Sequence, residues 1–171
     1  MRSAEYWIKK LNLLPHPEGG FFKESYRSDE LISSEALPNR YSSARTFSTQ
    51  IYFMLVKGNH SSFHRLKSDE TWHFYDGSPV TIWVLSEIDG LREVTLGLDE
   101  ESFPQFTVPK GCWFAAEVKG DGDYSLVGCS VAPGFDFADF EMGDKEELLN
   151  LFPQHKEVIE KLAHKTYIKN G

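Results

Sequence analysis

His64 and Glu70 stand six positions apart in a strand-rich stretch and are the residues of this chain best suited to chemistry. A histidine facing a carboxylate in an apolar interior has its ring tautomer fixed and its basicity raised, which makes His64 a candidate general base with Glu70 as its partner. The same two side chains could instead form a hydrogen-bonded structural pair. Alternation along a strand puts Glu70, Trp72 and Phe74 on one face and Thr71, His73 and Tyr75 on the other. Trp72 is thereby the aromatic best placed to stack on a sugar or planar ring beside Glu70, although a barrel aromatic more commonly belongs to the core. His73 would join Glu70 only across a bulge. Glu24, in an early strand after a Gly-Gly turn, and Thr49 and Gln105, in strands otherwise rich in apolar residues, either reach a ligand or face solvent.

These residues sit in a chain of 171 residues with a net charge of −8, 40% hydrophobic and 14% aromatic, the composition of one globular domain. The acidic balance and the scattered basic residues argue against a nucleic-acid partner. No apolar run approaches the roughly 20 residues of a membrane span, and Glu5, Lys9 and Lys10 interrupt the first apolar stretch, so neither a membrane nor a secretory route is expected. Cys112 and Cys129 form no Cys-x-x-Cys pair, and both are expected reduced in a cytoplasmic protein.

Ser3 can cap a short helix carrying Ala4, Trp7, Ile8 and Leu11 on one face. From Phe21 the period changes. Runs at Phe21–Tyr26, Thr49–Val56, Ser62–Leu66, Thr71–Tyr75, Val80–Leu85, Leu91–Leu96, Phe103–Val108, Trp113–Val118 and Tyr124–Ala132 are separated by Gly-, Asn- and Asp-containing turns. Many short strands at such spacing predict an all-β sandwich, jelly roll or barrel, here over about residues 20–135. Asp144 then caps a helical appendage over about 144–164, and Thr166 to Gly171 read as a frayed tail.

The segment from Gly58 to Gly77, with His64, Glu70 and both glycines in register, resembles the first cupin motif, except that its second histidine is Leu66. Pro109-Lys-Gly111 resembles the start of the second cupin motif, whose histidine is replaced by Phe114 and whose asparagine is replaced by Val118. The strings LPHPEGGFFKESYRS, STQIYFML, FHRLKSDETWHFYDGSP, VPKGCWFAAE and VAPGFDFADFE are similar to the Cupin_5 family, a domain-of-unknown-function branch of the cupin superfamily. That resemblance implies a cupin jelly roll, a dimer, and a likeness in fold to the dTDP-rhamnose sugar epimerases.

In the cupin pattern His64, Glu70 and positions 66 and 114 would share one metal ion. Leu66 and Phe114 offer no lone pair, so they are expected to line a pocket, and no metal or other cofactor is required, a divalent ion at His64 and Glu70 being the retained alternative. The epimerases imply a barrel histidine that removes a proton next to a carbonyl and a tyrosine that supplies one; Tyr52, Tyr75 and Tyr124 are available, and Tyr52 is the choice. The expected function is metal-independent isomerisation or epimerisation of a carbohydrate-like molecule. A non-catalytic metabolite-binding cupin and a metal-dependent enzyme with an incomplete ligand set are the alternatives. A homodimer is expected too, with Phe21–Tyr26 at the interface and Glu24 completing the partner's pocket.

Overall fold

The computed structural model describes residues 2–164; Thr166 to Gly171, expected as a frayed tail, lie outside the described residues. The turn-delimited runs become β2 (Phe21–Arg27), β5 (Thr49–Val56), β6 (His60–Leu66), β7 (Glu70–Gly77), β8 (Val80–Ser86), β9 (Gly90–Leu96), β10 (Gln105–Val108), β11 (Trp113–Val118) and β12 (Tyr124–Val131). Four strands of two or three residues join them: β1 (Leu14–Pro15), β3 (Leu31–Ile32), β4 (Arg45–Thr46) and β13 (Phe140–Met142). Such short pieces carry no readable periodicity, and only their partners reveal them.

All named strand pairs are antiparallel. They build a six-stranded sheet in the order β1-β2-β5-β12-β7-β10, a five-stranded sheet in the order β13-β6-β11-β8-β9, and the small pair β3-β4. The two larger sheets close on a core that includes Phe53, Leu55, Trp72, Ile82, Leu96, Phe114 and Val127. This is an all-β jelly-roll sandwich, the architecture that the cupin resemblance implies.

Helices cover parts of both outer faces. In α1 (Ala4–Leu11), Ser3 Oγ accepts from the Tyr6 N–H and Asn12 ends the helix in the left-handed region at φ 52°. Its apolar face packs on Met54, Tyr124 and Leu126 of the six-stranded sheet, and the Trp7 indole donates to Asp76. At the other end of the chain, α2 (Lys145–Leu151), capped by Asp144, and α3 (Lys156–Leu162) lay Leu148, Ile159 and Leu162 on Phe63, Leu85, Trp113 and Ala115. The C-terminal helices therefore supply an outer layer to the five-stranded sheet. Among the described residues, the outer face left uncovered belongs to the six-stranded sheet, around His73, Tyr75 and Gln105.

The loop after β12 is held by a buried ion pair. Arg45, 2% exposed, donates from Nε and Nη2 to the two carboxylate oxygens of Asp139, each at 2.7 Å. Its Nη1 is taken up by Ser43 and the Ala44 carbonyl. This fork-to-fork geometry fixes the short 3-10 turn at Phe137–Asp139, which carries aromatic rings over one end of the barrel. Removing one partner strands a buried charge, so Asp139→Ala should lower unfolding stability by about 3–5 kcal/mol. Glu141→Ala, which breaks the half-exposed pair with Arg65, should lower it by about 1 kcal/mol or less in the same denaturant titration.

Candidate functional site

A cavity of about 330 Å³ opens at that end of the sandwich. His64 and Leu66 reach it from β6, Glu70 and Trp72 from β7, Thr49, Ile51 and Phe53 from β5, and Phe22 and Glu24 from β2. Each set follows the alternation of its strand, with the inward positions facing the opposite sheet. Phe135, Asp136 and Phe137 close it from the loop after β12, and Phe140 from the start of β13.

The residues that complete its polar floor come from a turn. His16 and Glu18 belong to the Pro-His-Pro-Glu-Gly-Gly segment between β1 and β2, where the His16 N–H donates to the Gly20 carbonyl. Gly19, at φ 106°, passes so close to the His60 carbonyl that a Cβ there would collide with it. That approach lets the Ser62 N–H donate to the Glu18 carbonyl at 2.8 Å and swings the Glu18 carboxylate inward.

Glu18 Oε2 lies 3.1 Å from His64 Nε2, while Oε1 accepts from Ser61 at 2.8 Å. His64 Nδ1 is 2.7 Å from the Ser62 carbonyl. A carbonyl can only accept, so Nδ1 carries a proton and Nε2 is the nitrogen that exchanges with Glu18. The expectation that Glu70 fixes the imidazole tautomer is thereby corrected: the Ser62 carbonyl fixes it, and Glu18 is the contacting carboxylate. His16 is neutral, because its Nδ1 accepts from the Glu18 N–H at 3.2 Å. Its ring packs edge-on against Phe22 and stacks toward Phe137.

Glu70 accepts from the Trp72 indole through Oε2 at 3.0 Å. Burial pushes both glutamates up to about 7; the Ser61 hydrogen bond opposes the shift at Glu18, whereas the Glu18 charge adds to it at Glu70. The same desolvation lowers His64 and His16. Burial first, then Glu70 and Glu18, raise the Cys129 thiol, which also lines the cavity, so it stays protonated. The cavity thus holds two carboxyl groups poised near neutrality beside an imidazole.

Of the residues singled out in the sequence, His64, Glu70, Glu24, Thr49, Leu66 and Trp72 converge on this cavity. Phe114 does not line it; opposite His64 on β11, its ring packs 4.1 Å from the imidazole instead. Tyr52, His73, Tyr75 and Gln105 lie on the outer face of the six-stranded sheet. Tyr52 and Tyr75 approach each other there at 6.2 Å, over the space left by Gly128, and His73 bonds Ser130. The bulge between β7 and β12 falls at Tyr75, too late along the strand to turn His73 inward. Tyr124 is committed to Asp76 under α1, so none of the three tyrosines reaches the cavity. Sequence reasoning missed His16, Glu18 and Arg27. The only signal for the first two was the double glycine, which by itself marks a turn.

The chain matches the Cupin_5 family model, described as cupin superfamily (DUF985), over residues 5–143. The chain belongs to the Cupin_5 family. Among solved structures, this Cupin_5 chain is 37% identical to a hypothetical protein from Leishmania major, over 96% of this chain and 100% of that one, with a TM-score of 0.86. It is 43% identical to a Shewanella oneidensis protein over 97% and 100% of the two chains, also at 0.86. An oxalate decarboxylase from Bacillus subtilis shares the fold at 14% identity and a TM-score of 0.54, and the chain spans 38% of its length. No curated protein matches.

The four cupin metal positions of this barrel do not fit a four-ligand ion. Leu66 and Phe114 are hydrocarbon, both His64 nitrogens are engaged by Ser62 and Glu18, and no cluster of three or more potential ligands gathers among the described residues.

The raised carboxyl of Glu70 has a measurable consequence. In the unfolded chain it ionises near 4.5, in the folded one near 7, so stability from the neutral form is complete below 4.5 and lost as pH rises through about 7. His64, lowered from 6.5, has the opposite sign and weakens the fold as pH falls, but it remains in a Glu70→Gln variant. The melting temperature of Glu70→Gln minus that of the parent should therefore climb between about pH 5 and about pH 7 and flatten above. Differential scanning calorimetry reads it directly.

Proposed function

We propose that the barrel cavity binds a small polar, carbohydrate-like molecule and moves a proton on it, isomerising or epimerising it without an obligatory metal. The observation that supports this reading is the buried Glu18–His64 contact lying beside Glu70, three titratable groups in one aromatic-walled cavity. Proton transfer is fastest when donor and acceptor titrate near the working pH, and both glutamates do. Glu70, when ionised, takes a proton from the carbon beside a substrate carbonyl. Glu18, holding the proton it exchanges with His64, supplies one at the other position. The acid role expected of Tyr52 passes to a carboxyl, because no tyrosine among the described residues lines the cavity. His64 acts through Glu18 and positions its proton.

A second reading, a metabolite-binding cupin with no turnover, draws on the engagement of both His64 nitrogens by protein groups. Deuterium wash-in from solvent into a panel of keto sugars and nucleotide sugars, followed by NMR, separates the two. Exchange that falls by about 10²–10⁴-fold in Glu70→Gln with an unchanged circular dichroism spectrum supports proton transfer. Saturable binding with no exchange supports the second reading.

The proposal includes a homodimer. Among the described residues the Lys23–Arg27 portion of β2 has a free edge, since β1 pairs only with Phe21 and Phe22, and the adjacent outer face carries Tyr75 exposed beside a half-buried Tyr52. A two-fold axis satisfies both surfaces with one interface. Glu24, however, lines the cavity of its own chain and β2 pairs with β5, so the pocket needs no strand from a neighbour. Light scattering should give about twice the 19.6 kDa chain mass, and Tyr75→Glu should shift the protein to monomer.

A further inference from the structure

Charges around the cavity cancel in pairs until two carboxylates remain. Arg27, the permanently cationic side chain among the lining residues, gives Nε and Nη2 to Glu24 at 3.0 and 2.8 Å, and directs Nη1 and Nη2 to the Phe135 carbonyl at 3.2 Å. Nε, both Nη2 hydrogens and one Nη1 hydrogen are thereby committed, leaving a single Nη1–H for an anion. Glu18 and His64 face each other, and His16 is neutral. That leaves Asp136 at the mouth and Glu70 at the floor. Glu70 is more than nine-tenths buried, yet its Oε1 has no hydrogen-bond partner among the described residues. Around these carboxylates stand the rings of Phe22, Phe53, Trp72, Phe135, Phe137 and Phe140, with Phe135 and Phe137 centred 5.0 Å apart.

Aromatic faces carry negative quadrupoles, and rings combined with a carboxylate attract ammonium groups. We propose that the cavity takes a small organic cation, its ammonium group set against Glu70 inside the aromatic walls, with Asp136 at the mouth. This rests on the reading of the cavity as a ligand site and names the charge class of its ligand. An anion would meet two carboxylates and, among the described lining residues, only the one uncommitted Arg27 N–H. A neutral sugar would stack on Trp72 but leave the negative charge uncompensated. The volume of about 330 Å³ limits the ligand to roughly hexose size. Because burial holds Glu70 partly protonated near neutrality, a bound cation ionises it and releases a proton.

Two probe triads of matched shape test this on the full-length protein by titration calorimetry: choline, 3,3-dimethyl-1-butanol and 3,3-dimethylbutanoate; and glucosamine, glucose and glucuronate. The expected result is that the cation of at least one triad binds about tenfold tighter than its neutral partner, with the anion weakest. Its heat should vary with the buffer's ionisation enthalpy near pH 6.5, reporting the released proton. Glu70→Gln should erase the cation preference, and Asp136→Asn, which keeps the cap to the Ala138 N–H, should weaken it without disturbing the fold. The Trp72 indole resonance, assigned through Trp72→Phe, locates the bound probe. A neutral or anionic probe that binds as tightly as the cation and shifts that resonance overturns the charge class and leaves the cavity a ligand site. Binding that leaves the resonance unmoved, or no binding by any probe at millimolar concentration, overturns the proposal.

Discussion

The contact between Glu18 and His64 is the constraint on which the floor of this barrel depends. A carboxylate and an imidazole removed from water lose several kcal/mol of hydration each if charged, and only mutual contact and further hydrogen bonds offset that loss. Ser61 supplies one such bond to Glu18, and the Ser62 carbonyl supplies one to His64. Both come from β6, so one strand presents the histidine and the groups that satisfy its partner. The double glycine does the rest by letting the turn sit against His60.

That arrangement changes what the cupin scaffold can do. Where the superfamily pattern would place two further ligands, Leu66 and Phe114 make the surroundings of His64 apolar. A low-dielectric wall disfavours every charged form, and so the same substitutions that weaken a metal site push Glu18 and Glu70 toward neutrality at ordinary pH. The loss of one chemistry favours another. The oxalate decarboxylase likeness, at 14% identity, speaks only to the architecture that both share.

The mouth of the cavity is positioned from outside it. Arg45 of β4 lies outside the two larger sheets, and its buried pair with Asp139 fixes the turn that carries Phe137. Arg27 reaches the same loop from β2, holding the Phe135 carbonyl while neutralising Glu24. Two arginines thus clamp one loop from two sides, the first buried and the second half exposed. The helices, by contrast, cover the outer faces and contribute nothing to the cavity lining.

Residue types and spacing along the chain determined the larger strands, the capped helices, the family and one face of the pocket. His64, Leu66, Glu70 and Trp72 were legible because alternation within a strand needs no knowledge of its partners. Tyr52 and Gln105 fell on the wrong face for the cavity because which face turns inward is set by the opposing sheet, whereas His73 and Tyr75 keep the face opposite Glu70 that alternation gave them, the register shift of β7 coming only after Phe74. His16 and Glu18 could not be read as site residues at all. They lie in a turn more than forty positions before His64, and nothing in a Pro-His-Pro-Glu-Gly-Gly string states which surface the turn will fold against. Only the tertiary structure decided that, by burying the turn on β6, and with it decided which carboxylate the histidine faces and how far burial shifts them all.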